Sequence, residues 1–408
     1  MRIFVGLTDT ASQASDLKKG FGSLGIDAFA AVLERSYNSE NSVDLVLESD
    51  NFLSRLPVPA RYRDLFRFGG RRRALLKEAS AERDTFIFVR QSFLPDASDL
   101  EYLRRLGKKI VVFFMGSEQR WKGAYEQEMH SFGIPSYYDN SEISPYEGSI
   151  RKLNSTLRYL RQMEKYADVI YSLPNQSQLS LRPYHHFYIP VDLSLISEGS
   201  EQREVPTIVH APTNRGVKGT GLVLETFDRL RSEGLKFNIR LIENLPYREA
   251  LAAYAEGDIV IGELYIPSAG KLDRESLAAG RVVLSCMRPD YIDHIPEGCP
   301  IIGVDPETLY TELRSIIPDR ARRVKLSRLG RPFVERYHSI ESTTANILQK
   351  LNDPAGLQPD YYPTFFNEGF VPEDPTYCAL YNEWTAVVKS EPWYTENIVK
   401  GERNGLVF

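Results

Sequence analysis

Hydrophobic positions along the chain predict strands that alternate with helices. Residues 2–7 are rich in strand formers, a helical pattern follows and ends at Gly25, and residues 27–33 again look like a strand. This strand–helix–strand order is typical of a parallel sheet. Further strands are predicted at 43–47, 85–89, 109–114 and 168–171, and further helices at 100–106 and 151–166. The runs at 85–89 and 109–114 are continuously apolar, which indicates strands covered on both faces.

A polar, turn-rich segment between residues 189 and 205 interrupts this pattern, and the alternation then starts again. Strands are predicted at 207–211, 237–242, 259–262 and 282–285, with helices at 219–233, at 247–256 and from Arg274 onward. The simplest architecture is therefore two doubly wound α/β domains in series. After Leu351 the chain is rich in Tyr, Phe, Trp and Pro, whereas disordered tails are usually poor in aromatic residues. We expect domains at 1–190 and 191–350, and an extension at 351–408 that packs back on the first domain.

Composition narrows the class of protein without identifying it. A chain of 408 residues with 42% hydrophobic and 26% charged residues is typical of a soluble globular protein of two or three domains. No uncharged apolar stretch approaches the length of a membrane span, and the first residues do not form a signal-peptide core. Three cysteines form neither a disulfide framework nor a metal-ligand spacing. The expected location is the cytoplasm, and a net charge of −5 argues against a dedicated nucleic-acid binder.

Four short motifs stand at predicted strand ends or at the interdomain linker. They are HAPTNRGVKGT at 210–220, Gly270 followed by ESLAAG at 275–280, MGSEQR at 115–120 and IPVD at 189–192. Together they resemble the family-4 type of glycosyltransferases. The resemblance implies a GT-B fold, in which two Rossmann-like domains face a cleft.

The resemblance also implies the reaction. A glycosyltransferase of this type moves a sugar from a nucleotide-diphosphate donor, here UDP or GDP, to an acceptor hydroxyl, without a metal or cofactor and with retention of configuration. The departing diphosphate gains negative charge, so protein cations and backbone N–H groups must stabilise it. Arg215 offers a planar guanidinium with several hydrogen-bond donors, and Lys218 offers a compact positive charge. Gly219 lets the backbone come close to the phosphates. The alternative for this segment is a solvated charged loop.

The remaining donor-site candidates follow strands of the second domain. Small residues before a helix leave its first N–H groups free to bind an anion. The resemblance implies that Glu275 accepts hydrogen bonds from the ribose hydroxyls and that the nucleotide base binds near residues 243–244. The full set of predicted nucleotide-sugar-binding residues is Arg215, Lys218, Gly219, Glu243, Asn244, Gly270, Lys271 and Glu275. Glu275 could instead complement the helix dipole, Lys271 could be a surface residue, and residues 243–244 could be an ordinary loop.

In the first domain, Glu118 is the candidate catalytic residue. It follows the strand at 109–114 and could orient the acceptor hydroxyl or act as a base. Arg120 could bind a substrate phosphate or pair with Glu118. A buried salt bridge or a helix cap is the alternative for both residues.

The chain departs from the family pattern at two positions. Pro267 stands where the family's E-x7-E segment has its first Glu, and Met115 stands where the family has His. A catalytically impaired nucleotide-sugar-binding or scaffold subunit of a glycosylation complex is therefore the alternative function. The expected acceptor is a glycan, a lipid-linked molecule or a protein; a polymer such as DNA is permitted by local basic residues but disfavoured by the overall acidity.

Two further features invite hypotheses. Basic and aromatic residues alternate between residues 61 and 77, as in helices that lie on anionic membranes, so peripheral contact with the inner face of a membrane is one interpretation. The segment could also bind an acidic acceptor, or it could be a solvated helix. His185 and His186 are adjacent, so their side chains point apart, and with no Cys or carboxylate cluster beside them we expect no metal site.

Overall fold

The computed structural model describes residues 1–34, 42–47, 60–139, 143–288, 296–353 and 357–363, with isolated positions between 375 and 386. For residues 60–69 only the backbone is described. The described residues form two compact units. The first is drawn from Met1–Glu128, Pro145–Phe187 and Thr344–Phe408, and the second from Met129–Ser144 and Tyr188–Thr343.

The first unit contains a parallel sheet of seven strands in the order β3-β2-β1-β4-β5-β6-β7. These strands are β1 (Arg2–Leu7), β2 (Asp27–Val32), β3 (Leu45–Val46), β4 (Thr85–Val89), β5 (Lys109–Phe113), β6 (Val169–Ser172) and β7 (His185–His186). Every residue of β4 is buried, as its continuous apolar run predicts. Aromatic side chains fill one face, where the Phe4 and Phe93 rings lie 4.9 Å apart.

The second unit contains a parallel sheet of five strands in the order β12-β11-β10-β8-β9. They are β8 (Thr207–His210), β9 (Asn238–Leu241), β10 (Ile259–Ile261), β11 (Val282–Ser285) and β12 (Ile302–Gly303). The two central strands β8 and β10 contribute Val209 and Val260 to one apolar core. The predicted doubly wound parallel α/β class is confirmed in both units.

Helices connect the strands. They are α1 (Gln13–Ser23), α2 (Ala60–Glu82), α3 (Asp99–Arg105), α4 (Lys122–Ser131), α5 (Ile150–Tyr166), α6 (Thr220–Ser232), α7 (Tyr247–Ala255), α8 (Lys271–Ala278), α9 (Leu309–Ile316), α10 (Arg320–Tyr337) and α11 (Ile340–Asn352). Short 3₁₀ turns lie at Thr10–Ser12, Tyr137–Asp139, Pro145–Gly148, Pro174–Gln176 and Leu193–Leu195. The helix predicted from Arg274 begins three residues earlier, because the Asp273 carboxylate accepts a hydrogen bond from the Gly270 N–H at 2.6 Å and caps the first turn.

Segment 357–363, which is part of the first unit, packs next to β7. Tyr361 exchanges backbone hydrogen bonds with Tyr184 at 3.1 Å, and their rings stack with centroids 5.1 Å apart. The His186 Nδ1 and the Tyr361 hydroxyl are 2.7 Å apart. The bulk of the aromatic extension lies outside the described residues, so its packing as a whole stays a prediction.

Candidate functional site

The order of strands in the second unit locates a crevice for a ligand. β8 comes first in the chain, β9 joins it on one side and β10 on the other. In open parallel sheets, ligands bind at this switch point, outside the carboxyl ends of the two diverging strands. The loops that follow β8 and β10 are residues 211–219 and 262–270. Lys218 lies on the first loop and Glu263 on the second.

Lys218 and Glu263 form a nearly buried ion pair across this switch point. The Lys218 ammonium donates a hydrogen bond to Glu263 Oε1, and the two side chains are only 13% and 11% exposed. The backbone also fixes Glu263, whose N–H donates to the Ser285 hydroxyl at 3.1 Å and whose carbonyl accepts from the Cys286 N–H at 2.7 Å. Glu263 is therefore held by the end of the neighbouring strand β11.

Asp273 adds a second carboxylate to this cluster. It is fully buried in the first turn of α8 and accepts hydrogen bonds from the Gly270 N–H and, at 3.1 Å, from the Ser285 hydroxyl. Burial raises the pKa of Asp273 to about 6, with Lys218 opposing the rise and Glu263 adding to it. Burial alone would lower the pKa of Lys218, but the charges of Glu263 and Asp273 outweigh it and raise that pKa above its ordinary value. Lys218 therefore stays protonated in this site.

Gly270 gives close access to the cluster. A Cβ atom placed on Gly270 would lie 3.4 Å from Glu263 Oε1, so the backbone that opens α8 passes directly beside the ion pair. Gly219, on the opposite loop, has φ +67° in the left-handed region and precedes α6. An added Cβ there would approach the Tyr265 ring to 2.9 Å. Gly219 therefore lies where the chain needs a residue without a side chain, whereas Gly270, at φ −87°, has room for one.

Arg215 lies on the same loop but in a different environment. Its guanidinium donates two hydrogen bonds to the Glu243 carboxylate, from Nε to Oε1 at 2.8 Å and from Nη2 to Oε2 at 2.7 Å. The Arg215 side chain is 59% exposed and that of Glu243 is 30% exposed. The hydrogen bond from Arg215 lowers the pKa of Glu243. The next residue, Asn244, has φ +57° in the left-handed region. An exposed pair of this kind exchanges partners at little cost.

The side chains of Glu275 and Lys271, both on α8, contact partners outside the cluster around Lys218. The Tyr247 hydroxyl donates to Glu275 Oε1, and Glu275 is buried. The Lys271 ammonium donates to the Pro190 carbonyl at 2.8 Å, which ties α8 to the IPVD segment. Of the predicted donor-site residues, Lys218 and Gly270 therefore converge on Glu263, Arg215 pairs with Glu243, and Glu275 and Lys271 bind elsewhere.

Sequence analysis missed Glu263 and Asp273. The one available signal was that Glu263 is an acidic residue directly after the apolar strand β10, at an edge where ligands bind. His210, which ends β8, is packed: its Nε2 lies 3.0 Å from the Thr220 hydroxyl, and burial lowers its pKa to about 4. It is a neutral side chain that joins β8 to the start of α6.

In the first unit, Glu118 holds the turn that follows β5. Its Oε1 accepts hydrogen bonds from the Met115 N–H and, at 3.1 Å, from the Gly116 N–H. Its Oε2 lies 3.8 Å from Arg90 Nε. Glu118 thus stabilises the turn after β5, ahead of the helix that begins at Lys122, and a direct role on substrate stays a prediction.

The basic segment 61–77 falls within α2. The side chains of residues 61–69 lie outside the described residues. Arg71, Arg73 and Lys77 are exposed, whereas Arg72 is 3% exposed and donates to the Phe93 carbonyl at 3.5 Å. Arg72 therefore belongs to the fold and not to a surface that could contact a membrane.

Three solved glycosyltransferase structures share this architecture. Sucrose-phosphate synthase from Thermosynechococcus elongatus aligns over 87% of this chain and 98% of its own, with 12% identity and a TM-score of 0.58. HepE from Anabaena, in complex with UDP and glucose, aligns over 86% and 98%, with 11% identity and a TM-score of 0.53. WaaG, a glycosyltransferase involved in lipopolysaccharide biosynthesis, aligns over 86% and 99%, with 12% identity and a TM-score of 0.53.

These likenesses establish the fold. The chain has the GT-B fold of nucleotide-sugar glycosyltransferases, as the sequence motifs predict. No family model matches the sequence, and no curated protein matches it. In the part of the chain that the structure describes, no helix is long and apolar enough to cross a membrane, and no group of three His, Cys, Asp or Glu residues could hold a metal ion.

Proposed function

We propose that this protein is a glycosyltransferase that moves a sugar from a UDP or GDP donor to an acceptor hydroxyl, without a metal and with retention of configuration. The single observation that carries the proposal is the placement of Lys218. A protonated lysine lies at the switch point of the second sheet, beside a glycine that opens a helix. The neighbours in the structure comparison include proteins solved with UDP and with UDP-glucose.

The chemistry needs positive charge where the diphosphate departs. As the glycosidic bond to the diphosphate breaks, the anomeric carbon becomes cationic and the leaving group gains negative charge. Lys218 would turn from Glu263 to the phosphates, and Arg215 would leave Glu243 to join it. The N–H groups that open α8 after Gly270 would face the same anion.

The other predicted residues have roles in the donor site under this proposal. Glu275, oriented by Tyr247, would accept hydrogen bonds from the ribose hydroxyls. Residues 243–244 would contact the nucleotide base. Lys271 would hold α8 in place through Pro190. The acceptor would bind the first unit, where Glu118 keeps the loop after β5 in shape, and attack would come from the face that the diphosphate leaves.

Donor hydrolysis tests the proposal directly. We expect release of UDP or GDP from one member of a panel of nucleotide sugars, undiminished by EDTA. Lys218→Ala should abolish this release, whereas Lys236→Ala, which removes an exposed lysine of the same unit, should leave it unchanged. Equal release by the two variants would contradict the proposed role of Lys218.

The second candidate is a nucleotide-sugar-binding or scaffold subunit without transfer activity. Pro267 at the position of a family acid favours it. Stabilisation by UDP or GDP in a thermal-shift assay, without nucleotide release from any sugar donor, would select this candidate.

The exposed charge on α2 supports one version of the proposal, in which the acceptor is linked to a membrane. Arg71, Arg73 and Lys77 present exposed positive charge on one segment of this helix. Liposome flotation with anionic lipid should then recover the protein and should lose it when the three residues are changed to Gln. Equal recovery with neutral lipid would reject the contact.

A further inference from the structure

The geometry points to a second anion site, on the first unit alone, where Arg90 and Lys152 bind a phosphate or carboxylate group. Under the proposed function this group belongs to the acceptor, so the inference names the acceptor class as an anionic sugar. The two basic side chains meet at the loop after β5, on either side of Ser117.

The site lies at the switch point of the first sheet. β2 and β3 lie on one side of β1, and β4 with the later strands lies on the other. The crevice expected for a ligand is therefore between the loops that follow β1 and β4. Arg90 is the first residue after β4, and the Gln91 amide donates to the Thr8 hydroxyl at 2.8 Å, which ties the two loops together.

The backbone at this point is held in an unusual conformation. Arg90 has φ +69°, and on the neighbouring loop Ala11 and Ser12 have φ +51° and +61°. Residues other than glycine rarely adopt these angles, and such residues cluster at binding sites. The Tyr159 hydroxyl donates to the Arg90 carbonyl and keeps this residue in place.

Arg90 has hydrogen-bonding capacity to spare. Its guanidinium carries five N–H donors, and among the described residues it makes one hydrogen bond, from Nη2 to the Ser117 hydroxyl at 3.0 Å. Its approach to Glu118 is 3.8 Å, too long for a hydrogen bond, and the Arg90 side chain is 44% exposed. A planar guanidinium in this state suits bidentate binding of an oxyanion.

Lys152 adds a second cation beside Ser117. The Lys152 ammonium donates to the Ser117 carbonyl at 2.9 Å, and its side chain is 13% exposed. Burial lowers the pKa of Lys152, Glu147 and Glu118 raise it, and Arg90 and Arg120 lower it further. Glu147 Oε2 lies 3.9 Å from the Lys152 ammonium and Glu118 Oε2 lies 3.8 Å from Arg90 Nε, both too far for a hydrogen bond, and Glu118 already holds two backbone N–H groups. An arriving oxyanion would accept hydrogen bonds from both cations.

A matched set of sugars tests the inference without any donor. Glucose 6-phosphate, glucuronate and glucose differ only in the group at C6, and their binding is measured by isothermal titration calorimetry. We expect either anionic sugar to bind about tenfold or more tightly than glucose, with an affinity that falls as salt rises. The stronger of the two identifies the group as phosphate or carboxylate.

Substitutions test whether Arg90 and Lys152 cause the preference for anionic sugars. Arg90→Gln and Lys152→Gln should each remove most of it, whereas Arg158→Gln, which changes an exposed arginine on the same helix as Lys152, should not. Stabilisation by UDP, which reports the second unit, should persist in all three variants. Equal affinity for the three sugars, or a preference that survives both Arg90→Gln and Lys152→Gln, would overturn the inference, whatever the outcome of the donor-hydrolysis assay.

Discussion

Two ion pairs flank the loop after β8, and their burial predicts very different responses to the same perturbation. Lys218→Met removes the cation from a pair whose side chains are 13% and 11% exposed. Arg215→Met removes the cation from a pair whose side chains are 59% and 30% exposed. Both variants leave a glutamate without its partner, but only Glu263 is shielded from water.

The magnitude follows from this shielding. At a charge separation of about 4 Å and an effective dielectric constant of about 20, one pair contributes about 4 kcal/mol. Measured losses on breaking a buried pair are about 3–5 kcal/mol, because the remaining charge stays uncompensated. Asp273 lies in the same cluster, so Lys218→Met leaves two carboxylates together. Lys218→Met should therefore lower the thermal midpoint by several degrees or more, and Arg215→Met should change it little.

Thermal unfolding followed by circular dichroism measures both effects. The double variant Lys218→Met with Glu263→Gln removes the uncompensated charge and should recover much of the lost stability, which separates the charge from the packing of the lysine stem. If Lys218→Met and Arg215→Met shifted the midpoint equally, the difference in burial would not govern these pairs. If the double variant recovered nothing, the loss would come from packing and not from charge.

Three other predictions concern a glycine, a carboxylate and a tyrosine. Gly219→Ala should cost at least about 1 kcal/mol in chemical denaturation, because φ is +67° and the new Cβ would lie 2.9 Å from an aromatic ring; Gly221→Ala, where nothing lies within 4 Å, should not be destabilising. Burial would raise the pKa of Asp360, but the His186 N–H, which donates to its carboxylate at 2.8 Å, and the His185 ring, 3.6 Å away, outweigh burial and lower that pKa to about 2, below its unfolded value of 3.8. Its contribution to stability is therefore present above pH 4 and lost as the pH falls toward 2, and Asp360→Asn should flatten that part of the midpoint-against-pH curve. Tyr247→Phe removes the hydroxyl that orients Glu275 and should raise the donor KM more than it lowers kcat in steady-state kinetics.

Most of the fold could be predicted from the pattern of apolar positions. Strands such as β4 and β5 are buried on both faces, so their continuous apolar runs mark them without any tertiary information. The two-residue strands His185–His186 and Ile302–Gly303 could not be predicted, because two residues have no periodicity. Each is defined only by its pairing with the preceding strand of the chain, β6 or β11.

The site was predictable in position but not in its contacts. The resemblance of residues 210–220 to family-4 glycosyltransferases singled out Lys218 and Arg215, and the order of strands explains why a ligand is expected at this loop. The partners of these residues depend on distances that the sequence does not contain. Glu263 lies 45 residues after Lys218 and reaches it only because β8 and β10 pair side by side.

Each switch point carries a basic side chain, Lys218 on the loop after β8 and Arg90 directly after β4, and the two differ in ways that predict different ligands. Lys218 is shielded and already neutralised by Glu263, so an anion that takes it must replace a complete ion pair, which favours a ligand with several charges, such as a diphosphate. Arg90 is 44% exposed and lacks a hydrogen-bonded carboxylate among the described residues, so a single charge suffices there and screening by salt acts on it fully. Rising ionic strength should therefore weaken binding at the first unit before it weakens binding of the nucleotide at the second.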